Sequence, residues 1–99
     1  MKSRIEIPKD QRKYNNILSN YEYTRIILER IKMLNDVRHG QNPILFIDVN
    51  LLDDNKKNDL EYIANTEFKN KKLPFNVIRL HGDKYYEVWN LINDNMYVI

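Results

Sequence analysis

Leu18-Ser-Asn-Tyr-Glu-Tyr-Thr-Arg-Ile-Ile-Leu-Glu-Arg30 reads as a helix start followed by a helix too apolar to stand alone. Ser19 has N-cap chemistry, and Glu22 three residues later completes a capping box, in which each side chain serves the other's backbone N–H. From there the spacing predicts a helix to about Arg38, with Gly40 available to end it. Glu22, Arg25, Glu29, Lys32 and Asp36 follow three- and four-residue steps with alternating sign, so one solvated stripe tied by local ion pairs is expected. Tyr23, Ile26, Ile27, Leu28, Ile31, Met33, Leu34 and Val37 fill nearly all the remaining circumference. That arc is wider than packing on one small core requires, and the excess predicts a surface shared with a partner.

Toward the C-terminus, Gln41-Asn42-Pro43 breaks the pattern and the apolar run Ile44–Ile47 leads to Asp48. This run is a strand or a buried extended segment; periodicity does not separate the two. Asn50 to Asn58 is a polar loop. A second helix fits Leu60 to Asn70, capped by Asn58 or Asp59, with Leu60, Ile63, Ala64 and Phe68 on one face. It must stop before Leu73, because Pro74 disfavours helical geometry in the residue ahead of it. Phe75–Leu80 and Tyr85–Asn90 read as strands, joined by the turn chemistry of His81-Gly82-Asp83-Lys84. Gly82 and Asp83 are expected to form a tight turn between antiparallel strands. The tail Leu91–Ile99 is apolar enough to pack back on the domain.

On the N-terminal side, residues 1–16 form a polar, mildly basic arm in which Ile5 and Ile7 flank Glu6 and lead to Pro8. A short extended arm and a loosely ordered terminus both fit. The whole is therefore read as a small α+β domain over residues 17–99, preceded by that arm. It has a long N-terminal helix, a second helix and a C-terminal β-hairpin.

Composition limits the function classes. With 99 residues one domain is expected, and the net charge of +2 is too small to imply nucleic-acid binding without a patch. There is no cysteine, so disulfides and thiolate zinc sites are excluded. The chain has no apolar stretch of membrane-spanning length and no signal-peptide-like start, so an intracellular protein with no membrane partner is expected. Asn, Lys, Ile and Tyr account for 43 of 99 residues, a bias toward AT-rich codons that points to an AT-rich source genome.

Arg30 is the first residue to single out, because its helical neighbours Ile26, Ile27, Met33, Leu34 and Val37 are all apolar. A guanidinium on such a face needs a carboxylate or backbone carbonyls, unless its stem lies along the apolar surface and its head reaches water. Asp48, Asn50, Asp53 and Asp54 after an apolar run resemble the start of a strand-end metal site. They do not make a calcium loop, because Leu52 stands where an oxygen ligand is needed. Lys69, Lys71 and Lys72 sit where cations complement a helix C-terminus. His39 and His81, each near a Gly in a turn, read as loop residues without partners at ligand spacing.

In order and spacing, these segments resemble the omega-type subunit of multisubunit DNA-dependent RNA polymerases: bacterial omega, archaeal subunit K and the sixth subunit of the eukaryotic enzymes. The family's first helix opens with Thr or Asn, a spacer, an aromatic and an acidic residue, with Arg eight positions beyond the acid. That pattern falls on Ser19, Tyr21, Glu22 and Arg30, and Arg25 matches a further basic position of the eukaryotic branch. Asn42-Pro43 and Ile44–Ile47 loosely match the step into an extended segment. Asp59, Ile63-Ala64, Glu67 and Lys72-Leu73-Pro74 match the second helix and its exit. Arg79, Asp83, Tyr86-Glu87 and Trp89 match the hairpin, and Trp89 favours the eukaryotic and archaeal branch.

The departures are Leu28 in place of a small residue, a longer stretch from Asp36 to Asn58, and no long acidic N-terminal tail. With the codon bias they suggest a short viral or plasmid member, working in host cytoplasm or virion; a cellular eukaryotic member would be nuclear. The resemblance implies a noncatalytic subunit without cofactor that clasps and stabilises the largest polymerase subunit, promotes assembly, contacts other polymerase subunits, and meets DNA only through the complex. Tyr21, Glu22, Arg25, Ile27, Arg30, Ile31, Leu34, Pro74, Arg79 and Trp89 are the expected partner-binding residues. The alternatives are a free-standing nucleic-acid-binding regulator and a metal-dependent nuclease centred on Asp48.

Overall fold

A computed structural model describes residues 3–36 and 44–99 as an α+β domain. Helix α1 spans Asn20–Asn35 and α2 spans Leu60–Lys69. The strands are β1 Ile5–Glu6, β2 Ile17–Leu18, β3 Asn76–His81, β4 Tyr85–Asn90 and β5 Tyr97–Val98.

The helix boundaries follow from their caps. Ser19 Oγ accepts the Glu22 N–H at 3.0 Å, and Glu22 Oε1 accepts the Ser19 N–H at 3.0 Å, which closes the expected capping box. Asp36 caps the other end of α1; Arg38 and Gly40, expected at this end, lie outside the described residues, as does Val37. Asp59 caps α2 by accepting the Tyr62 N–H. At the far end of α2, Lys71 takes φ +57°, its N–H reaches the Phe68 carbonyl, and the Lys72 N–H reaches that of Glu67. This pair of bonds is a Schellman ending, built on lysine where glycine is usual.

β3 and β4 form the expected antiparallel hairpin, with Val77 opposite Trp89 and Arg79 opposite Glu87. Gly82 supplies the turn's positive φ, at +62°. The arm is extended rather than loose: β1 runs parallel to β4, with Ile5 and Ile7 donating their N–H groups to the carbonyls of Lys84 and Tyr86. The tail returns as expected, since β5 pairs in parallel with β2. Ile44–Ile47 is not a strand; it is an irregular segment in which Ile47 is buried and Ile44 exposed. The polar loop contains two short 3₁₀ turns, capped by Asp48 and Asp53.

Two apolar clusters flank α1. Leu18, Ile26, Leu73, Val77, Trp89, Leu91 and Met96 pack between the helices and the sheet. Leu34, Ile47, Leu52 and Ile63 pack where the C-terminal half of α1 meets α2 and the loop. On the α1 arc, Ile26, Ile27 and Leu34 are buried, whereas Leu28 and Met33 are half exposed. Among the described residues no helix is long and apolar enough to cross a membrane.

Candidate partner-binding surface and the ion pairs beneath it

Burial of charge dominates this molecule. Arg30, Glu67, Arg79 and Glu87 are all buried, and among the described residues no buried side-chain nitrogen or oxygen is left without a hydrogen bond.

Arg30 leaves the apolar face of α1 and meets Glu67 of α2 through two parallel bonds, Nε to Oε1 at 2.7 Å and an Nη to Oε2 at 2.9 Å. The same guanidinium donates to the Ile44 carbonyl at 2.8 Å and lies over the Phe46 ring. Glu67 Oε2 also accepts the Phe46 N–H at 2.7 Å. One bidentate pair thus joins α1, α2 and the irregular segment. Of the two readings of Arg30, a polar partner or a head that reaches water, the first holds, and both the carboxylate and the carbonyl belong to the same chain. Arg30 is therefore an internal tie between the two helices. Its counter-charge lies 37 residues away, beyond any helical spacing.

Arg79 makes the second tie. It meets Glu22 bidentately at 2.8 and 3.0 Å and donates to the carbonyls of Ile17 and Asn15. Hydrogen bonding from Arg79 is the main reason that Glu22 titrates below the usual carboxylate range. Glu22, expected on the solvated stripe of α1, is thus drawn partly inward as cap and counter-ion at once.

Glu87 is the third centre. Its carboxylate accepts from the Lys13 N–H at 2.8 Å, the Tyr14 N–H at 3.4 Å and Trp89 Nε1 at 2.8 Å, and lies 2.6 Å from His81 Nε2. Burial works to raise its pKa, but these hydrogen bonds outweigh it and hold the pKa down to about 2. His81 is therefore not an unpartnered loop residue: it ends β3 against a buried acid, with Tyr14 stacked beside it. Arg12 completes the arm's anchorage, bonded to Asp94 at 3.0 Å and to the Val88 carbonyl, with its guanidinium over Trp89.

The ten expected partner-binding residues thus divide. Ile27, Arg30, Leu34, Arg79 and Trp89 are buried inside the chain. Ile31 and Glu22 are partly covered. Tyr21, Arg25 and Pro74 are exposed and line one groove between α1 and β3, together with Met33 and Ile78. Sequence reading gave no role to Arg12 or Asp94, and took Glu67 and Glu87 only as pattern positions. A signal existed for the latter two: Glu67 follows Ile63 by four and Ala64 by three, and Glu87 alternates in phase with Trp89.

Asp48 and Asp53 spend a carboxylate oxygen each on the N–H two residues ahead, at 2.9 Å. Among the described residues no group of three or more His, Cys, Asp or Glu side chains stands close enough to hold a metal ion. The chain matches no protein-family model and no curated protein sequence.

Proposed function

We propose that this chain is a noncatalytic, omega-type small subunit of a DNA-dependent RNA polymerase, which clasps the largest subunit and stabilises the assembled enzyme. A subunit that binds only the folded, assembled state favours that state by mass action. The observation that carries the reading is the coincidence of the family pattern with the architecture of charge. Glu22, Arg30, Glu67, Arg79, Glu87 and Trp89 are pattern positions, and they make the internal ties of the fold. Three other pattern positions, Tyr21, Arg25 and Pro74, share an exposed groove suited to contact. The pattern thus reads partly as a recipe for the fold and partly as a surface.

The test is affinity purification of the tagged chain from its native source. Recovery of two very large polymerase chains in stoichiometric amounts is expected. If both are missing under conditions that preserve assembled polymerases, the proposal fails.

A further inference from the structure

The sheet runs β1–β4–β3, so β3 has a neighbour on one side only. Leu91 donates to the Phe75 carbonyl at one end of the hairpin, while the carbonyls of Lys84 and Tyr86 serve β1 on the opposite side of β4. The antiparallel register then makes Val77–Trp89, Arg79–Glu87 and His81–Tyr85 the hydrogen-bonded pairs. It turns the N–H and C=O groups of Asn76, Ile78 and Leu80 away from β4. Among the described residues no backbone hydrogen bond from outside the hairpin reaches those groups.

Folded proteins commonly guard such an edge with an outward charge, a proline or a bulge. β3 has none of these: its Arg79 is turned inward to Glu22, and Ile78 and Leu80 stand 62% and 49% exposed. Along this edge runs the groove whose far wall is α1, with Tyr21, Arg25 and Met33. The carboxylates of the groove are engaged, Glu22 with Arg79 and Glu29 with Lys32. Arg25 makes no ion pair among the described residues.

We propose that β3 is a docking edge for an extended segment of a partner protein, which adds as a strand beside Asn76–Leu80 and sets an acidic side chain against Arg25. Donors and acceptors that recur at every second residue of a strand are complementary to an extended backbone. The uncompensated Arg25 selects the acidic side chain, and Tyr21, Met33 and Ile78 receive apolar neighbours from alternate positions of the same segment. This deepens the polymerase reading by giving the kind of contact, and its test needs no polymerase.

The probes are labelled nine-residue peptides of alternating Val and Thr, with one Glu walked along the chain, and the matching set carrying Lys. Fluorescence polarisation is expected to show at least one Glu peptide binding about threefold or more tighter than its Lys counterpart, the size of an exposed ion pair. Hydrogen exchange should slow at the amides of Asn76, Ile78 and Leu80 on binding. Ile78→Pro removes an outward N–H that β4 does not use, so it should abolish binding while the hairpin persists. Arg25→Glu lies on the helix surface, leaves the fold intact and should invert the charge preference, which keeps the test decisive should Ile78→Pro not fold.

Absence of binding, equal affinity for both peptide sets, or protection elsewhere would overturn the proposal. So would concentration-dependent dimerisation that protects the same amides without peptide, since that would assign the edge to a second copy of the chain. A failed polymerase purification combined with edge binding would retire the polymerase reading alone.

Discussion

Arg30 shows how one buried charge can organise a small domain. Removing the guanidinium leaves the Glu67 carboxylate buried with little beyond the Phe46 N–H, and breaking one side of such a pair costs about 3–5 kcal/mol. Arg30→Ala is therefore expected to destabilise the isolated chain, whereas Arg25→Ala on the exposed side of α1 stays within about 0.5 kcal/mol of wild type. Urea unfolding of both variants checks this, and an unmoved midpoint for Arg30→Ala would show that the pair holds nothing. Arg30→Lys is expected to fall between, since an ammonium cannot span both Glu67 oxygens and the Ile44 carbonyl with a planar fork. Glu87 sets the acid limit. Its folded pKa, about 2, lies below the unfolded value, so the unfolded chain binds more protons and stability rises with pH through this range. The contribution is complete above roughly pH 4.5 and is lost as pH falls toward about 2; it amounts to at most about 3 kcal/mol. Glu22 and Asp94 are lowered too and act in the same direction. Glu87→Gln should weaken the fold at pH 7 and flatten its stability between pH 4.5 and 2, read from urea midpoints against pH. An unchanged acid limb would place the acid sensitivity elsewhere.

At the scale of the elements, two of the turns that rest on left-handed backbone, at Gly82 and at Lys71, respond oppositely to substitution. Gly82 has open space around a notional Cβ but φ +62°, so Gly82→Val is expected to cost about 1–2 kcal/mol through conformation alone. Gly82→Asn should cost less, because Asn tolerates that region. Lys71 holds φ +57° at the end of α2, where a side chain is a liability. Lys71→Gly should stabilise by up to about 1 kcal/mol, offset in part by the lost 3.3 Å bond to the Met96 carbonyl and by the freer unfolded chain. Thermal melts of the three variants decide the matter, and a lower melting temperature for Lys71→Gly would refute the strain argument. These elements were largely legible in the sequence. The capping box of α1, the Asp59 cap and the Gly82 turn each involve residues three or four apart, so the chain writes them locally. The irregular Ile44–Ile47 segment was not legible, because its conformation is fixed by Glu67 and Arg30 reaching it from two helices.

For the molecule as a whole, the arm is structural. β1 and the Lys13 and Tyr14 N–H groups seat it against β4, the Arg12–Asp94 pair ties it to the turn that follows β4, and Arg12 covers Trp89. Deleting residues 1–16 should lower the melting temperature markedly and shift Trp89 fluorescence to the red as its 7% exposure rises. A truncated chain with wild-type emission and stability would reduce the arm to an attachment. The sequence by itself determined the α+β class, both helices and their starts, the hairpin and its turn, because apolar period, cap chemistry and positive φ are properties of neighbouring residues. It also singled out Arg30 as a charge on an apolar face, leaving open whether a partner or water receives it. Only the tertiary structure decided that Glu67 answers Arg30 from 37 residues away, that Arg79 answers Glu22 across 57, and that His81 meets Glu87. It likewise moved half of the expected contact residues into the interior and left Tyr21, Arg25 and Pro74 outside. The physical reason is that pairing and exposure belong to the packed whole: whether a side chain lies inside depends on which distant segment covers it, and local spacing carries no record of that.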